Sequence, residues 1–300
     1  MTLPHTPRAW AARLTLLLNQ VMVADRFPVR VADVAREFSR QVYPQDPIID
    51  VMGGDLPGFE GALVRVPERK GWGILYNKRI AAAGRINFTL AHEFGHYLLH
   101  RVAYPQGIRC SAEDVSGRMT ELRFIEREAD LFAADLLMPL DDFRRQIGPR
   151  ESISIDQLSH CADHYEASLI AVTLRWLAYT ERRAIMVVSR DGFILWARSS
   201  ENALKTRAYF KTSQAPVPIP EMSLAAQQDL LADNDVGVTH APGVWLREEA
   251  HEMTVFSQQY DFAISLLMLG DAPDRRFNVE DEDDPVAVAT DVRFRNHWAS

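Results

Sequence analysis

The chain has 300 residues, 47% of them hydrophobic and 25% charged, enough to bury a sizeable core and to fill more than one domain, since domains run about 100–200 residues. Its 33 Lys and Arg stand against 41 Asp and Glu, a formal net charge of −8, which repels polyanions and argues against nucleic acid as a direct partner. Two cysteines, Cys110 and Cys161, make neither a disulfide framework nor a Cys-x-x-Cys pair and suit a reducing cytoplasm, and no run approaches the ~20 apolar residues of a membrane span.

Trp10, Leu14, Leu17, Leu18 and Val21 recur at helical spacing and predict an amphipathic helix over residues 8–23. Arg13, Asn19 and Gln20 bracket its leucine run, so it does not read as a signal peptide. A second short helix is expected to start at Pro28-Val29-Arg30-Val31-Ala32-Asp33-Val34-Ala35. Ile48–Val51, Gly61–Val66 and Gly73–Asn77 read as strands separated by Gly and Pro turns, a small sheet ahead of the next helix.

That helix carries His92-Glu93-Phe94-Gly95-His96 within the stretch Phe88–His100. Residues four apart on a helix share a face, so His92 and His96 can offer two imidazoles to one metal while Glu93 leans to the same side as a base. Catalytic zinc takes three protein ligands and keeps one position for water, so the stretch supplies two ligands and a proton acceptor. Thr89 or Asn87 is the expected cap. Gly95 costs about 1 kcal/mol against Ala inside a helix, which points to close packing there.

The longer pattern HExxHxxGxxH would need Gly at 99 and His at 102, where Leu99 and Val102 stand. His100 has turned about 80° from His92 and is poorly placed for the same metal. A third ligand is better sought in Phe124–Pro139, where Ala129, Phe132, Ala133, Leu136 and Leu137 form an inward stripe. One turn back lies Glu126, with Asp130 at the stripe's edge. An inward carboxylate is costly unless it meets a metal or a donor, so Glu126 reads as a ligand and Asp130 as the acceptor for a liganding imidazole N–H. Glu128 and Asp135 are expected on the solvated face.

HEFGH followed by E-x-E-A-D-x-F-A-A-x-L-L-M-P resembles the ImmA/IrrE family of zinc metallopeptidases, as do the lead-in Phe88-Thr89-Leu90-Ala91 and the ending Leu136-Leu137-Met138-Pro139. The resemblance implies a thermolysin-like α+β core, one zinc per chain held by His92, His96 and Glu126, and Glu93 as catalytic base. It also implies a protein substrate among helix-turn-helix transcriptional repressors, whose cleavage releases stress-response or mobile-element genes. In such sites an edge strand pairs with extended substrate, and Gly73–Asn77 is the expected edge. The loop 101–120 is expected to border the site.

Beyond Pro139, Ile155–Cys161 and Glu166–Leu177 predict two helices about a turn at His164-Tyr165, a helix-turn-helix-like pattern. Arg150 to Arg183 holds four Arg and no Lys against five acids, which leaves no basic recognition face. His160, His164 and Arg175 are candidates to stabilise an oxyanion. Ala184–Ala197 predicts a hairpin with an Asp-Gly turn, Leu224–Ala232 a helix, and Met253–Phe256 and Phe262–Leu269 strands. The expected organisation is a metallopeptidase core over 1–148, a helix-turn-helix-like segment over 149–182, a C-terminal α+β regulatory or sensor-like domain over 183–270, and an acidic flexible tail over 271–300. The competing reading is a DNA-binding or metal-binding regulator without proteolytic turnover.

Overall fold

In the computed structural model, which describes residues 3–22, 26–109, 119–227, 236–257 and 261–271, helix α1 spans Pro7–Val21, with the Thr6 hydroxyl accepting from the Ala9 N–H and Pro7 opening the first turn. Its buried face is Trp10, Ala11, Leu14 and Thr15. Leu17 and Val21, expected inward, are exposed, because the buried stripe follows 10, 11, 14 and 15. Helix α2 (Val31–Val42) runs further than the short helix expected, burying Val31, Ala35 and Phe38 at helical spacing.

The chain divides into two compact units, one of residues 3–142 and 163–168, the other of 143–162 and 169–271. The sheet of the first unit is made from β1 (Ile48–Gly54), β2 (Gly61–Val66), β3 (Gly71–Asn77) and β4 (Gly107–Arg109), in the order β1-β3-β2-β4. β1 and β3 are parallel, while β2 pairs antiparallel with both β3 and β4. β3 is therefore internal and not the edge expected from the sequence: Trp72 and Ile74 are buried, and β1 has closed its free side. The edges are β1 and β4. β4 itself lies in the stretch expected to be all loop; residues 110–118 of that loop, Cys110 among them, lie outside the described residues.

Helix α3 (Ala83–Leu99) begins six residues before Thr89, with Ala82 as a cap that offers no side-chain bond. Asn87 and Thr89 are instead buried within it, and Asn87 Nδ2 donates to the Val29 carbonyl at 2.9 Å. Against α3 packs α4 (Met119–Leu137), with Ala129, Phe132, Ala133 and Leu136 fully buried as the stripe predicts. α5 (Leu140–Gln146) follows. Of the helix pair expected between 152 and 179, α6 runs Ile155–Tyr165 and α7 Leu169–Leu177, joined at Glu166 with φ of 50°.

The second unit holds a six-stranded antiparallel sheet in the order β7-β6-β5-β10-β9-β8. β5 (Ala184–Arg190) and β6 (Phe193–Ser199) form the expected hairpin, with Asp191 and Gly192 at φ of 52° and 79°. The remaining elements are α8 (Glu201–Lys205), β7 (Val217–Pro218), β8 (Val238–His240), β9 (Ala250–Ser257) and β10 (Phe262–Leu269). The expected helix from Leu224 is a single 3-10 turn over Leu224–Ala226; residues 228–232, like the tail from 272, lie outside the described residues.

The core of this unit includes Ile185, Val187, Trp245 and Leu267. At its centre sits a fully buried carboxylate, Glu252. It accepts from the N–H groups of Leu224 and Ala225 at 3.0 and 3.1 Å, from His240 Nε2 at 2.8 Å and Trp245 Nε1 at 2.7 Å, and from the hydroxyls of Thr254 and Ser265 at 2.8 and 3.2 Å. That many donors is what makes a buried charge tolerable. Among the described residues no helix is long and apolar enough to cross a membrane.

Candidate metal centre

The site lies in the first unit, where α3 meets α4. Gly95 is the residue that lets the helices approach: a Cβ built there would lie 2.9 Å from Phe132 Cδ1 and 3.3 Å from Ala129 Cα. The glycine thus offsets its poor helix propensity by close packing, as expected from the sequence. Ala129 and Ala133, with small side chains facing the same seam, are both fully buried.

At this close crossing, His92 Nε2 and His96 Nε2 lie 2.9 Å apart, and Glu126 on α4 brings Oε2 to 3.5 Å from the first and Oε1 to 3.2 Å from the second. Ligand atoms from the three residues all fall within 4.8 Å of one another, a group that could hold a metal ion. Both imidazoles are buried. Burial pushes the His96 imidazole down to about 3, with the neighbouring His92 adding to the fall and the Glu126 carboxylate opposing it, so the ring stands neutral with a lone pair to give. On the far side of His92, Nδ1 lies 2.8 Å from Asp130 Oδ1, the acceptor expected one turn beyond Glu126. With its Nδ1–H donating to Asp130 Oδ1, His92 directs Nε2 toward His96 and Glu126. Two nitrogen donors and a carboxylate oxygen converging in this way fit a borderline cation such as zinc.

Glu93 follows His92 on the same helix and is fully buried. The start of β2 lies directly over it: a Cβ at Gly61 would stand 2.5 Å from Thr89 Cγ2 and 2.9 Å from Glu93 Oε1. Only a glycine lets the strand backbone come this close to the carboxylate. Arg85, further back on α3, pairs with Glu60 at the foot of β2 and holds the same junction from the side.

Two residues placed outside the site by sequence reasoning belong to its surroundings. Glu128, expected on the solvated face, points Oε2 at His100 Nε2 at 3.0 Å, and His100 Nδ1 lies 3.0 Å from His96 Nδ1. The reason is angular: Glu126 and Glu128 lie about 60° and 100° to either side of Ala129, the middle of the contact stripe, so both reach α3, from opposite flanks. His100 does stay off the metal side of His92 and His96, as its rotation along the helix predicts. Asp135 is also less free than expected, lying 3.9 Å from Arg8 Nε. Of the residues expected to serve an oxyanion, His164 lies 3.6 Å from Asp142 Oδ2 and packs against Phe27 and Tyr165, while His160 is exposed and Arg175 half-buried in the second unit.

Two imidazoles one helical turn apart, joined by a carboxylate from a neighbouring helix beside a mixed sheet, define an α+β unit of the HExxH class with a candidate metal centre. Residues 45–177 match the family model Peptidase_M78, described as the IrrE N-terminal-like domain. The matched span contains α3, α4 and the whole four-stranded sheet. No curated protein matches the chain. A solved structure described as a Mycobacterium tuberculosis transcriptional regulator is similar at a TM-score of 0.47 and 15% identity, over 86% of this chain and 76% of that one. Likeness at that level bears on neither the site nor its function.

Proposed function

We propose that the chain is a zinc-dependent endopeptidase with a thermolysin-like core, acting in the cytoplasm on a protein substrate. The observation that carries this reading is the convergence of His92 Nε2, His96 Nε2 and Glu126 beside a buried Glu93. His92, His96 and Glu126 would hold the metal, with Asp130 fixing the His92 ring. Zinc held there supplies a Lewis acid for the scissile carbonyl and makes water a stronger acid near neutral pH. Glu93 takes the proton that water gives up as its oxygen attacks the carbonyl carbon, and passes that proton to the nitrogen of the breaking C–N bond. Its burial and the β2 backbone across it keep the carboxylate in one orientation for both transfers.

For the substrate, the family resemblance points to helix-turn-helix transcriptional repressors, whose cleavage would relieve repression of stress-response or mobile-element genes. The acidic balance of the chain is consistent with recognition of a protein and not of DNA. Incubating the purified protein with repressors encoded beside its gene, with and without chelator, tests the reading. Cleavage that chelator stops is expected, and Glu93→Gln should retain zinc while losing turnover, because it removes the base and keeps the ligands. Turnover at the parent rate in Glu93→Gln would overturn the mechanism.

A further inference from the structure

The two candidate ligand histidines are supported in different ways. His92 gives its Nδ1 to a carboxylate directly, Asp130 Oδ1 at 2.8 Å. His96 meets a second imidazole, His100, which in turn meets a carboxylate, Glu128 Oε2 at 3.0 Å. His100 is buried, its ring lies 5.1 Å from that of His96, and its backbone N–H donates to the His96 carbonyl at 2.8 Å, so its position is set by the end of α3 itself.

Two neutral imidazoles joined Nδ1 to Nδ1 can share only one proton, and either ring can hold it. A carboxylate stands at each end of the chain, Glu126 Oε1 at 3.2 Å from His96 Nε2 and Glu128 Oε2 at 3.0 Å from His100 Nε2, and the closer contact of Glu128 favours the arrangement that serves it. An ionised carboxylate only accepts, so Glu128 requires the His100 proton on Nε2. His100 Nδ1 is then bare and accepts from His96, which must carry its own proton on Nδ1. His96 Nε2, on the side of His92 and Glu126, is left with a lone pair. Without Glu128 the opposite arrangement opens: His96 would place its proton on Nε2, where Glu126 Oε1 at 3.2 Å accepts it, and a metal would have to displace that proton before binding.

We propose that Glu128 is a positioning residue which, acting through His100, fixes the proton of His96 on Nδ1 and so keeps Nε2 ready for a metal. The inference rests on the reading of His92, His96 and Glu126 as a metal site, and it extends that reading to a carboxylate that reaches the ligand atom only through two imidazole rings and two hydrogen bonds. It makes the two ligands equivalent: each imidazole is fixed by one carboxylate of α4, Asp130 at one turn and Glu128 on the other flank of the stripe.

The test has two readouts. Nitrogen-15 NMR of the zinc-free protein, labelled at histidine, reports which ring nitrogen of His96 carries the proton. The parent should show Nδ1–H and Glu128→Gln a shift toward Nε2–H; the same tautomer in both proteins would overturn the proposal. The zinc dissociation constant, measured by chelator competition, should rise about 10–100-fold in Glu128→Gln and in His100→Phe, the range seen when a supporting partner of a ligand is lost. His100→Asn, whose side-chain oxygen can itself accept from His96 Nδ1–H, should recover most of that affinity. Equal loss in His100→Phe and His100→Asn would show that the ring serves only to fill space, and would sink the relay. A parent protein that binds no zinc but shows the tautomer change would remove the metal reading and leave the relay standing.

Discussion

Replacing Gly95 by Ala would place a methyl group 2.9 Å from Phe132 Cδ1, 3.3 Å from Ala129 Cα and 3.4 Å from the Ala129 carbonyl oxygen. The Phe132 ring has little room to retreat, being fully buried and set edge-on to Phe94 with centroids 5.7 Å apart. Ala129 is main chain of α4, so relief there means α4 itself moves away from α3. Overpacking of this kind costs about 1–3 kcal/mol, whereas Ala gains about 1 kcal/mol over Gly in a helix interior. The net expectation is a loss of up to about 2 kcal/mol, or a fall in Tm of a few degrees, on the order of 2–4 °C per kcal/mol for a unit of this size.

The metal should register the change more sharply than the fold does. Glu126 and Asp130 flank Ala129 in sequence and travel with it, so the carboxylate that now lies 3.2 Å from His96 Nε2 is drawn back. Zinc affinity should fall about tenfold, the lower end of what disturbing a ligand's support costs. Thermal unfolding of the zinc-free protein and chelator competition on the zinc form measure the two effects separately. A Gly95→Ala protein about 1 kcal/mol more stable than the parent, with unchanged zinc affinity, would show that helix propensity alone is at stake and that the close crossing is not real.

Glu126→Ala should lose zinc at equilibrium and Asp130→Ala should bind it about 10–100-fold more weakly; metal content of the purified variants checks both, and full occupancy in Glu126→Ala would displace it as a ligand. Gly61→Ala should leave zinc affinity close to that of the parent while cutting turnover, because the atoms nearest the added Cβ belong to Thr89 and Glu93; unchanged cleavage would show that the β2 backbone does not hold the base. The zinc-free protein should weaken in acid. Folding moves His96 from 6.5 to about 3, so the unfolded chain binds a proton that the folded one refuses; the stability is whole above about pH 6.5 and is lost as pH falls toward 3. Denaturant midpoints between about pH 4 and pH 8 should show this slope in the parent and a shallower one in His96→Gln, and identical slopes would remove His96 as its source.

Local chemistry carried much of the architecture. The Asp191-Gly192 turn, the i, i+4 spacing of His92 and His96, and the apolar stripe that places Glu126 and Asp130 are each fixed by residues close in sequence, and each is found as read. Features set by distant partners were not legible. Nothing in Gly73–Asn77 reveals that β1 returns to pair with it in parallel, which turns an expected edge into an interior strand. Glu128 shows the same limit at the scale of one side chain: helical phase put it off the centre of the contact face, but only the position of His100 at the end of α3 gives it something to reach. The start of α3 left no capping signal because Ala82, Ala83 and Gly84 occupy it; there Gly84 lies close under the Glu166 carbonyl, where a Cβ would stand 2.3 Å away.

In the second unit, the donors that reach Glu252 come from the 3-10 turn at Leu224–Ala225, from β8, from Trp245, and from β9 and β10. Any one of these segments that frayed alone would withdraw its donors from a charge still shut away from water, and the penalty for that is larger than the few contacts a short segment makes. A single-turn helix would ordinarily open and close many times before the protein around it unfolds. Here the amides of Leu224 and Ala225 are bound to the same carboxylate as Thr254 of β9 and Ser265 of β10, so their exchange with solvent is expected to follow the opening of those two strands and not the fraying of one turn.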